Sequence, residues 1–235
     1  MIEFTTLETK CVYLDDKRMQ MSYKYVNECS SSLVSTLTRQ GWRRFGKYFS
    51  RPSCKACSEC VSLRVDVKKF RFGKSARRVI KKNKNTKSIL TKPSLSQDRL
   101  ELYEKYHKYM QDKRGWDYYP INSESYDDLY IKGASTFAKE IDYYIKNRLV
   151  GVDLIDIVDD GISSIYFYYD PDFKDFSLGR YSLYEQIKLA YDMGLSWIYL
   201  GYSVKDCESL NYKLSYKPHQ KLHNLPSMDE EPIWS

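Results

Sequence analysis

The chain has 235 residues, of which 42% are hydrophobic and 29% are charged, and its formal net charge is +7. This composition is typical of an ordinary soluble globular protein and excludes a disordered or collagen-like chain. No stretch approaches the roughly 20 uncharged apolar residues of a transmembrane helix, so we expect no membrane partner. The N-terminus has no basic start followed by an apolar core, and the six cysteines then predict a reducing, cytoplasmic location.

The N-terminal part of the chain predicts two helices and a strand. Leu33 and Leu37 belong to a helix that ends at Gly41, and alternating apolar residues over 61–67 indicate a strand. Ser75 can cap a short helix with the sequence ARRVIKKNKN. The stretch TKSILTKPSLSQ follows, and its proline and serines mark a boundary. We therefore expect two domains, residues 1–95 and residues 96–235.

The second half predicts helices first and then a run of strands. One helix ends at Gly115, and a short one starts after Ser123. Three extended runs follow, separated by turn signals at 146–148 and 159–161, and Pro171 ends the third. This pattern predicts a three-stranded antiparallel meander.

A last helix and strand complete the predicted order. Leu183, Ile187 and Ala190 share one helical face, Gly194 ends the helix, and the sequence SWIYLGY predicts a strand. A meander followed by a helix and a strand is the skeleton of the GNAT acyltransferase fold. The expected fold class is α+β: a GNAT-like domain with a mainly antiparallel sheet, packed against a basic, cysteine-containing N-terminal region. The loop DFSLGR brings backbone N–H groups to the helix N-terminus, which can hold an anion.

The positive charge is concentrated in the N-terminal half. No acidic residue occurs between Glu28 and Glu59, and residues 67–97 contain eleven Lys and Arg residues and no acid. A solvated Lys-rich face usually alternates signs, whereas a block of one sign is typical of a surface that binds a polyanion. We therefore predict a nucleic-acid partner. The cations predicted to contact it are Lys74, Arg77, Arg78, Lys81 and Lys82.

Three cysteines in the stretch RPSCKACSECVSLRV have the spacing of metal ligands. Cys54, Cys57 and Cys60 form two consecutive Cys-x-x-Cys steps. A structural zinc site needs four ligands. In an iron–sulfur cysteine motif with this spacing, the fourth cysteine would occupy the position of Arg64. Two hypotheses stay open from the spacing: a metal site with a distant fourth ligand, and a thiol-rich loop without metal.

Five segments, in order from residue 11 to about 218, resemble one enzyme family. They are CVYL, GWRRFGKYFSRPSCKACSECVSLRV, FRFGKSARRVIKKN, YFYYDPDFKDFSLGRYSLYEQIKLAYDMGLSWIYLGY and NYKLSYKP. On these segments the chain resembles the bacterial aspartate/glutamate leucyltransferases, which belong with the arginyl-tRNA–protein transferases. The resemblance covers nearly the whole chain.

The resemblance implies an aminoacyltransferase of the N-degron pathway. Such an enzyme moves leucine from Leu-tRNA to the α-amino group of an N-terminal Asp or Glu, which marks the protein for degradation. Its partners are aminoacyl-tRNA and proteins or peptides with those N-termini, and no cofactor is required. Two alternatives stay open: the same reaction with arginyl-tRNA, and a non-catalytic RNA-binding module. An acyl-CoA enzyme is disfavoured because DFSLGR has a single glycine.

The implied reaction is aminolysis of an ester, which needs a positioned amine, a proton acceptor and a stabilised oxyanion. The candidate catalytic residues are Glu185 and Tyr181, one helical turn apart. A cation, preferably Arg, should face the carboxylate of the acceptor side chain. Salt bridges to the acidic C-terminal half are the alternative for these arginines. The candidate acceptor- and substrate-binding residues are Arg43, Arg44, Arg51, Arg64, Arg180, Tyr202 and Lys213.

The resemblance also bears on the cysteines. In eukaryotic relatives an N-terminal Cys-x-x-Cys and a later cysteine pair hold an iron–sulfur cluster or zinc. Cys11 matches the first position, but Leu14 stands at the second, and Cys57 matches the later pair with shifted neighbours at Cys54 and Cys60. The implied metal ligands are Cys11, Cys54, Cys57 and Cys60, and the alternative is a reduced loop.

Overall fold

Thirteen strands and six α-helices make up the computed structural model, which describes residues 1–235. The strands are β1 (Ile2–Thr5), β2 (Thr9–Lys10), β3 (Arg18–Met19), β4 (Met21–Tyr25), β5 (Arg43–Phe45), β6 (Tyr48–Pro52), β7 (Val61–Asp66), β8 (Lys87–Thr91), β9 (Ala138–Ile145), β10 (Arg148–Val158), β11 (Gly161–Tyr169), β12 (Trp197–Ser203) and β13 (His219–Lys221). The helices are α1 (Ser31–Arg39), α2 (Lys74–Lys82), α3 (Gln97–Arg114), α4 (Ser123–Tyr126), α5 (Leu178–Asp192) and α6 (Glu208–Asn211). A π-helical turn follows α4, and single 3₁₀ turns follow β11 and α6.

A seven-stranded sheet with the order β13-β7-β12-β11-β10-β9-β8 forms the centre of the molecule. Every neighbouring pair is antiparallel except β11 and β12, which are parallel. These two strands pair only from Gly161 opposite Trp197 to Ser163 opposite Tyr199. Beyond that point they are not hydrogen-bonded to each other, and a wedge opens between them.

Helices cover both faces of this sheet, because its strands carry apolar side chains on both sides. Helices α2 and α5 pack on one face around Val65, Ile155 and Ile187. Helices α3 and α4 pack on the other face around Leu154 and Tyr168. A third cluster joins α1 and the four-stranded sheet β1-β4-β6-β5 to β10 and β12. None of the helices combines the length and the hydropathy that crossing a bilayer would require.

Most of the longer predicted elements are confirmed. The three-stranded meander is β9–β11, and its first turn contains Lys146 and Asn147 in the left-handed region, at φ 49° and 62°. Helix α5 buries Leu183, Ile187 and Ala190 as predicted. The mixture of helices with a mostly antiparallel sheet is likewise confirmed.

Several details differ from the prediction. Gly73, not Ser75, is the N-cap of α2, and the helix ends at Lys82 because Asn83 closes it with its own side chain on Val79 O at 3.0 Å. The stretch predicted as a boundary contains β8, which pairs with β9. The division after residue 95 stays a prediction, although β7 and β8 share one sheet with the strands that follow it.

Candidate functional site

The wedge between β11 and β12 is filled by a cation from the N-terminal region. Arg43, on β5, donates from Nη2 to Ile165 O at 2.7 Å and points the same nitrogen at Ser164 O, 3.5 Å away. Both carbonyls lie on β11 past its last pairing with β12. On the other side stands Gly201, with φ +68°, where a Cβ would come within 2.6 Å of Arg43 Nε. Only glycine leaves the guanidinium its place in the wedge.

Tyr202 forms the next part of the wedge, on β12. Its hydroxyl lies 3.1 Å from the Tyr13 hydroxyl, and the Arg43 guanidinium lies 5.6 Å from its ring centroid. Lys213 is buried and donates from Nζ to Tyr202 O at 2.8 Å. Burial lowers the pKa of Lys213 well below its usual range, and repulsion from Arg43 acts in the same direction. The N-terminal region and the C-terminal part of the chain thus build this wall together.

A buried carboxylate lies on the inner side of the wedge. Asp153, on β10, accepts a hydrogen bond at 2.7 Å from Nε2 of Gln186 on α5, which also approaches Ser164 Oγ at 3.2 Å. Burial raises the pKa of Asp153 to about 7, and the Gln186 amide and the nearby Tyr143 hydroxyl oppose the rise. A carboxyl with such a pKa exchanges protons at ambient pH.

This carboxylate is incompletely satisfied by the fold. Asp153 Oδ1, Gln186 Oε1 and the Tyr143 hydroxyl are buried and have no partner with full hydrogen-bond geometry. Unpaired buried polar atoms cost roughly 1–3 kcal/mol each and are rare unless they serve a ligand, water or catalysis. Desolvation raises the pKa of Tyr212; Arg43 acts against this rise, and Asp153 adds to it.

Asp153 and Gln186 were not among the residues predicted from sequence. Asp153 is a carboxylate in the middle of the apolar run LVGVDLIDIV, and Gln186 lies on the same helical face as Leu183 and Ile187. A polar residue on an apolar face was the available signal for both.

The predicted catalytic pair lies at the start of α5, separated from the wedge. Glu185 accepts from Lys188 Nζ at 2.7 Å and from Ser88 Oγ at 3.2 Å. Tyr181 packs edge-on against Tyr143, with ring centroids 5.8 Å apart.

The predicted acceptor-binding arginines divide into two groups, and three of them are held within the fold. Arg44 forms a buried ion pair with Asp156, as the salt-bridge alternative predicted. Arg51 packs over Trp42 and donates to Pro226 O at 2.8 Å.

Arg64 lies between the rings of Trp197 and Trp234, at 4.0 and 4.6 Å, and donates twice to Gln220 Oε1. Its charge therefore faces aromatic rings and an amide inside the fold. Arg43, with Tyr202 and Lys213, lies in the wedge, while Arg180 is exposed on α5 without a protein hydrogen-bond partner.

The cysteines border the wedge as half-buried thiols. Burial, together with a smaller contribution from the neighbouring thiols, raises the pKa of Cys60 to about 12; the neighbours are Cys54, Cys11, Cys57 and Cys207. No group of three or more His, Cys, Asp or Glu side chains is arranged to hold a metal ion. In this arrangement the thiols do not form a ligand set, and the metal at Cys11, Cys54, Cys57 and Cys60 stays a prediction.

The Cys54 thiol already has backbone partners. It donates to Gln20 O at 3.6 Å and accepts from Gln20 N at 3.4 Å. The metal site and the reduced loop therefore both stay open as hypotheses for these cysteines.

The predicted nucleic-acid contacts lie on α2. Its buried side is Ala76, which packs in the core beneath the helix. The five cations are exposed and none forms an ion pair with a carboxylate. They are Lys74, Arg77, Arg78, Lys81 and Lys82.

Comparison with known proteins gives a consistent result along the whole chain. The family model described as arginine-tRNA-protein transferase, C terminus, matches residues 98–223, and the corresponding N-terminus model matches residues 9–78. The aspartate/glutamate leucyltransferase of Campylobacter jejuni is 51% identical over 99% of this chain and 98% of its own length. The enzyme of that name from Helicobacter hepaticus is 38% identical over 100% of this chain and 97% of its own.

A solved structure gives a weaker likeness. The L-PGS of Bacillus licheniformis superposes with a TM-score of 0.46 at 13% identity, over 77% of this chain and 52% of that chain. That score is too low to support a conclusion about the fold.

Proposed function

The chain belongs to the arginine-tRNA–protein transferase family, and from that premise we propose that it transfers leucine from Leu-tRNA to an N-terminal Asp or Glu of a protein or peptide. The observation that carries the proposal is the match of leucyltransferases to nearly the whole chain. Arginyl-tRNA is the second candidate donor, because the matching family models are named for it.

The arrangement of the central sheet supports a GNAT-like catalytic unit. An antiparallel meander, β9–β11, leads through α5 to the parallel strand β12, which separates from β11 after three residue pairs. A wedge of this kind exposes backbone groups and side chains from two strands to one substrate position. We place the aminoacyl ester and the acceptor N-terminus in this wedge.

Asp153 is the proton acceptor in the mechanism we propose. The neutral acceptor amine attacks the ester carbonyl carbon, a C–N bond forms, and the carbonyl oxygen becomes negative. Asp153 takes the proton that the nitrogen loses, and the ester C–O bond then breaks. The departing ribose oxygen receives that proton. A pKa of about 7 suits both transfers, because the carboxyl can accept and return a proton at neutral pH.

Gln186 is a positioning residue for this step. Its Nε2 donates to Asp153 Oδ2 and leaves Oδ1 without a protein partner, as the atom that takes the amine proton. The hydrogen bond also lowers the pKa of Asp153, so it keeps a larger fraction of the carboxyl ionised.

Arg43 is the cation that we assign to the acceptor carboxylate. Its Nη2 is held by Ile165 O, which fixes the plane of the guanidinium, while Nη1 and Nε have no protein acceptor. The Nε–H and the Nη1–H groups lie on different edges of the guanidinium, so Nη1 can donate a single charge-assisted hydrogen bond to a carboxylate oxygen. Lys213 is a weaker candidate for this role, since its lowered pKa disfavours the ammonium form. We assign Lys213 to holding Tyr202 in the wedge wall.

The donor and the location follow from the same premise. The exposed cations of α2 suit the phosphates of the tRNA acceptor arm, whose backbone dominates protein–RNA affinity. Charged tRNA is a cytoplasmic substrate, which supports a cytoplasmic location. No step of the proposed mechanism passes through a metal.

The test is a transfer assay with purified protein, labelled leucyl- or arginyl-tRNA, and peptides that begin with Asp, Glu or Ala. We expect leucine to be transferred to the peptides that begin with Asp or Glu and not to the peptide that begins with Ala. Arginine on the same peptides would establish the second candidate. Transfer from neither tRNA by a folded protein would overturn the transferase proposal.

A further inference from the structure

A second group of cations surrounds an open cavity near the edge strand β13. The cavity has a volume of about 480 Å³, and no hydrophobic residue lines it. Its walls come from the loop between β7 and α2 and from the turn before β13, which are joined by Asp66 N–H donating to Pro218 O at 3.0 Å. We call its four basic residues the basic cradle. They are Lys69, Arg71, Lys217 and His219.

The cations of the basic cradle are oriented but mostly unpaired. Arg71 donates from Nη1 to Lys68 O and Phe70 O, both at 3.0 Å, which leaves Nε and Nη2 without a protein acceptor. Lys217 is exposed and has no carboxylate within ion-pair distance. Asp66, at 3.4 Å from Lys69 Nζ, is the one carboxylate paired with any of the four. The cavity therefore offers several donors to an anion.

Aromatic packing connects the basic cradle to α5. Phe70 stacks on Tyr216 with centroids 6.5 Å apart, and Phe72 meets Tyr184 edge-on at 5.8 Å. Burial raises the pKa of Tyr216, and the nearby Arg180 guanidinium opposes the rise. Arg180 is exposed in the first turn of α5.

Helix α2 continues the same surface beyond Phe72. It packs on α5 and begins two residues after Phe72, at Lys74, and its five cations are exposed. Only Phe72 and Gly73 separate Arg71 of the basic cradle from Lys74, the first residue of α2, so the two groups of cations are adjacent along the chain. A small anion would need only one such position, whereas a strand of phosphates repeats its charge along a line and can use all of them.

We propose that the basic cradle binds the phosphodiester backbone of the tRNA acceptor arm, as a second anchor beyond α2. The proposal rests on the proposed function for the identity of the RNA. Arg71 meets a phosphate with its free Nε and Nη2, the geometry that guanidinium and phosphate share, and Lys69 and Lys217 contribute point charges beside it. Two anchors would restrict the direction in which the aminoacylated end enters the wedge.

The experiment measures binding of uncharged tRNA as a function of salt. The Lys69→Gln/Lys217→Gln double variant is compared with a matched control, Lys108→Gln/Lys132→Gln, whose lysines lie on α3 and after the π-helical turn, on the opposite sheet face. We expect the cradle variant to bind at least about 10-fold more weakly near physiological salt. The slope of log K against log salt should shrink by about 1.5, since each lost phosphate contact removes roughly 0.7–0.9.

The control variant should keep the wild-type slope, and thermal unfolding of both variants checks that they are folded. A wild-type slope in the cradle variant would overturn the proposal. The proposal would also be overturned if tRNA binding were unchanged and KM for the acceptor peptide rose, because the cavity would then bind the peptide. Binding of uncharged tRNA does not require transfer. If the slope of log K against log salt changes but neither leucine nor arginine is transferred, the proposal for the basic cradle stands and the proposed function is rejected.

Discussion

Arg44 and Asp156 form a bidentate ion pair that joins the N-terminal region to the central sheet. Arg44 Nε and Nη2 each lie 2.7 Å from an Asp156 oxygen, and both side chains are almost fully buried, at 4% and 1% exposure. Nη1 donates to Gly46 O at 3.0 Å. The neighbouring Arg43 points from the same short strand, β5, into the wedge. The ion pair therefore fixes the strand that carries the proposed acceptor-binding cation.

Removal of one partner of this pair should be strongly destabilising. We expect Arg44→Met to lower the free energy of unfolding by about 3–5 kcal/mol, because it leaves the Asp156 carboxylate buried without its charge partner. The Arg44→Met/Asp156→Leu double variant should recover a large part of the loss, since no charge then remains buried. Urea unfolding of the three proteins measures the coupling. Additive losses in the double variant would contradict the ion-pair argument.

Asp153→Asn tests the proton acceptor. We expect kcat at saturating peptide to fall by about 10²–10⁴-fold, the usual contribution of a positioned base. With a pKa of about 7, the Asp153 carboxyl becomes ionised, and so able to accept a proton, as the pH rises through about 7. Wild-type kcat should therefore rise with pH through about 7 and then level off. The Asp153→Asn variant should lack this rise of kcat with pH. Glu185→Gln is the matched comparison. It should keep the wild-type kcat and its rise with pH, because Glu185 contacts Lys188 and Ser88 rather than the proposed substrate position.

Asp153 should also link stability to pH. The pKa of Asp153 is about 7 in the folded protein and 3.8 in the unfolded chain. Between about pH 4 and pH 7 the folded protein therefore keeps a proton on this carboxyl that the unfolded chain has lost. The stabilisation is thus complete below about pH 4 and disappears as the pH rises through about 7. At pH 8 we expect Asp153→Asn to be more stable than the wild type by a few kcal/mol, with little difference at pH 4. Thermal or urea unfolding at the two pH values measures this, and a variant that is less stable at pH 8 would refute it.

Gln186→Leu separates positioning of the carboxylate from packing. Loss of the Gln186 hydrogen bond removes an interaction that lowers the pKa of Asp153, so we expect the rise of kcat with pH to move to higher pH. Leucine fills a similar volume on the buried face of α5. A lower kcat whose rise with pH stays at the wild-type position would mean that Gln186 acts through packing alone.

The longer elements were predictable because their signals are local. Alternation over β7 and the 3.6-residue period of α5 follow from the side of the core that each residue faces. The strands β1–β6 have two to five residues each and depend on pairing with partners distant in sequence. The site divides in the same way. Arg43 was a candidate because it lies in a segment that resembles the family, whereas the approach of Gln186 to Asp153 exists only once α5 packs on β10.

The place of Arg43 in the wedge should depend on a glycine that touches no substrate in our proposal. Gly201→Ala puts a Cβ within 2.6 Å of Arg43 Nε, and the guanidinium must move away. Because a charged hydrogen bond is worth about 1.5–3 kcal/mol, we expect kcat/KM for Asp- and Glu-peptides to fall by roughly 10- to 150-fold. Arg43→Gln should produce a loss of the same kind. The matched control is Gly194→Ala, since Gly194 also has a left-handed φ, +74°, but nothing lies within 4 Å of its Cβ position.

Both glycine variants carry the cost of a left-handed alanine, about 1–2 kcal/mol, so unfolding measurements should show a similar loss of stability from that source. Only Gly201→Ala should weaken transfer to acidic N-termini. Equal kinetics in the two variants, or full activity of Arg43→Gln, would show that the acceptor carboxylate binds elsewhere. The exposed Arg180, which has no protein hydrogen-bond partner, would then be the next cation to replace.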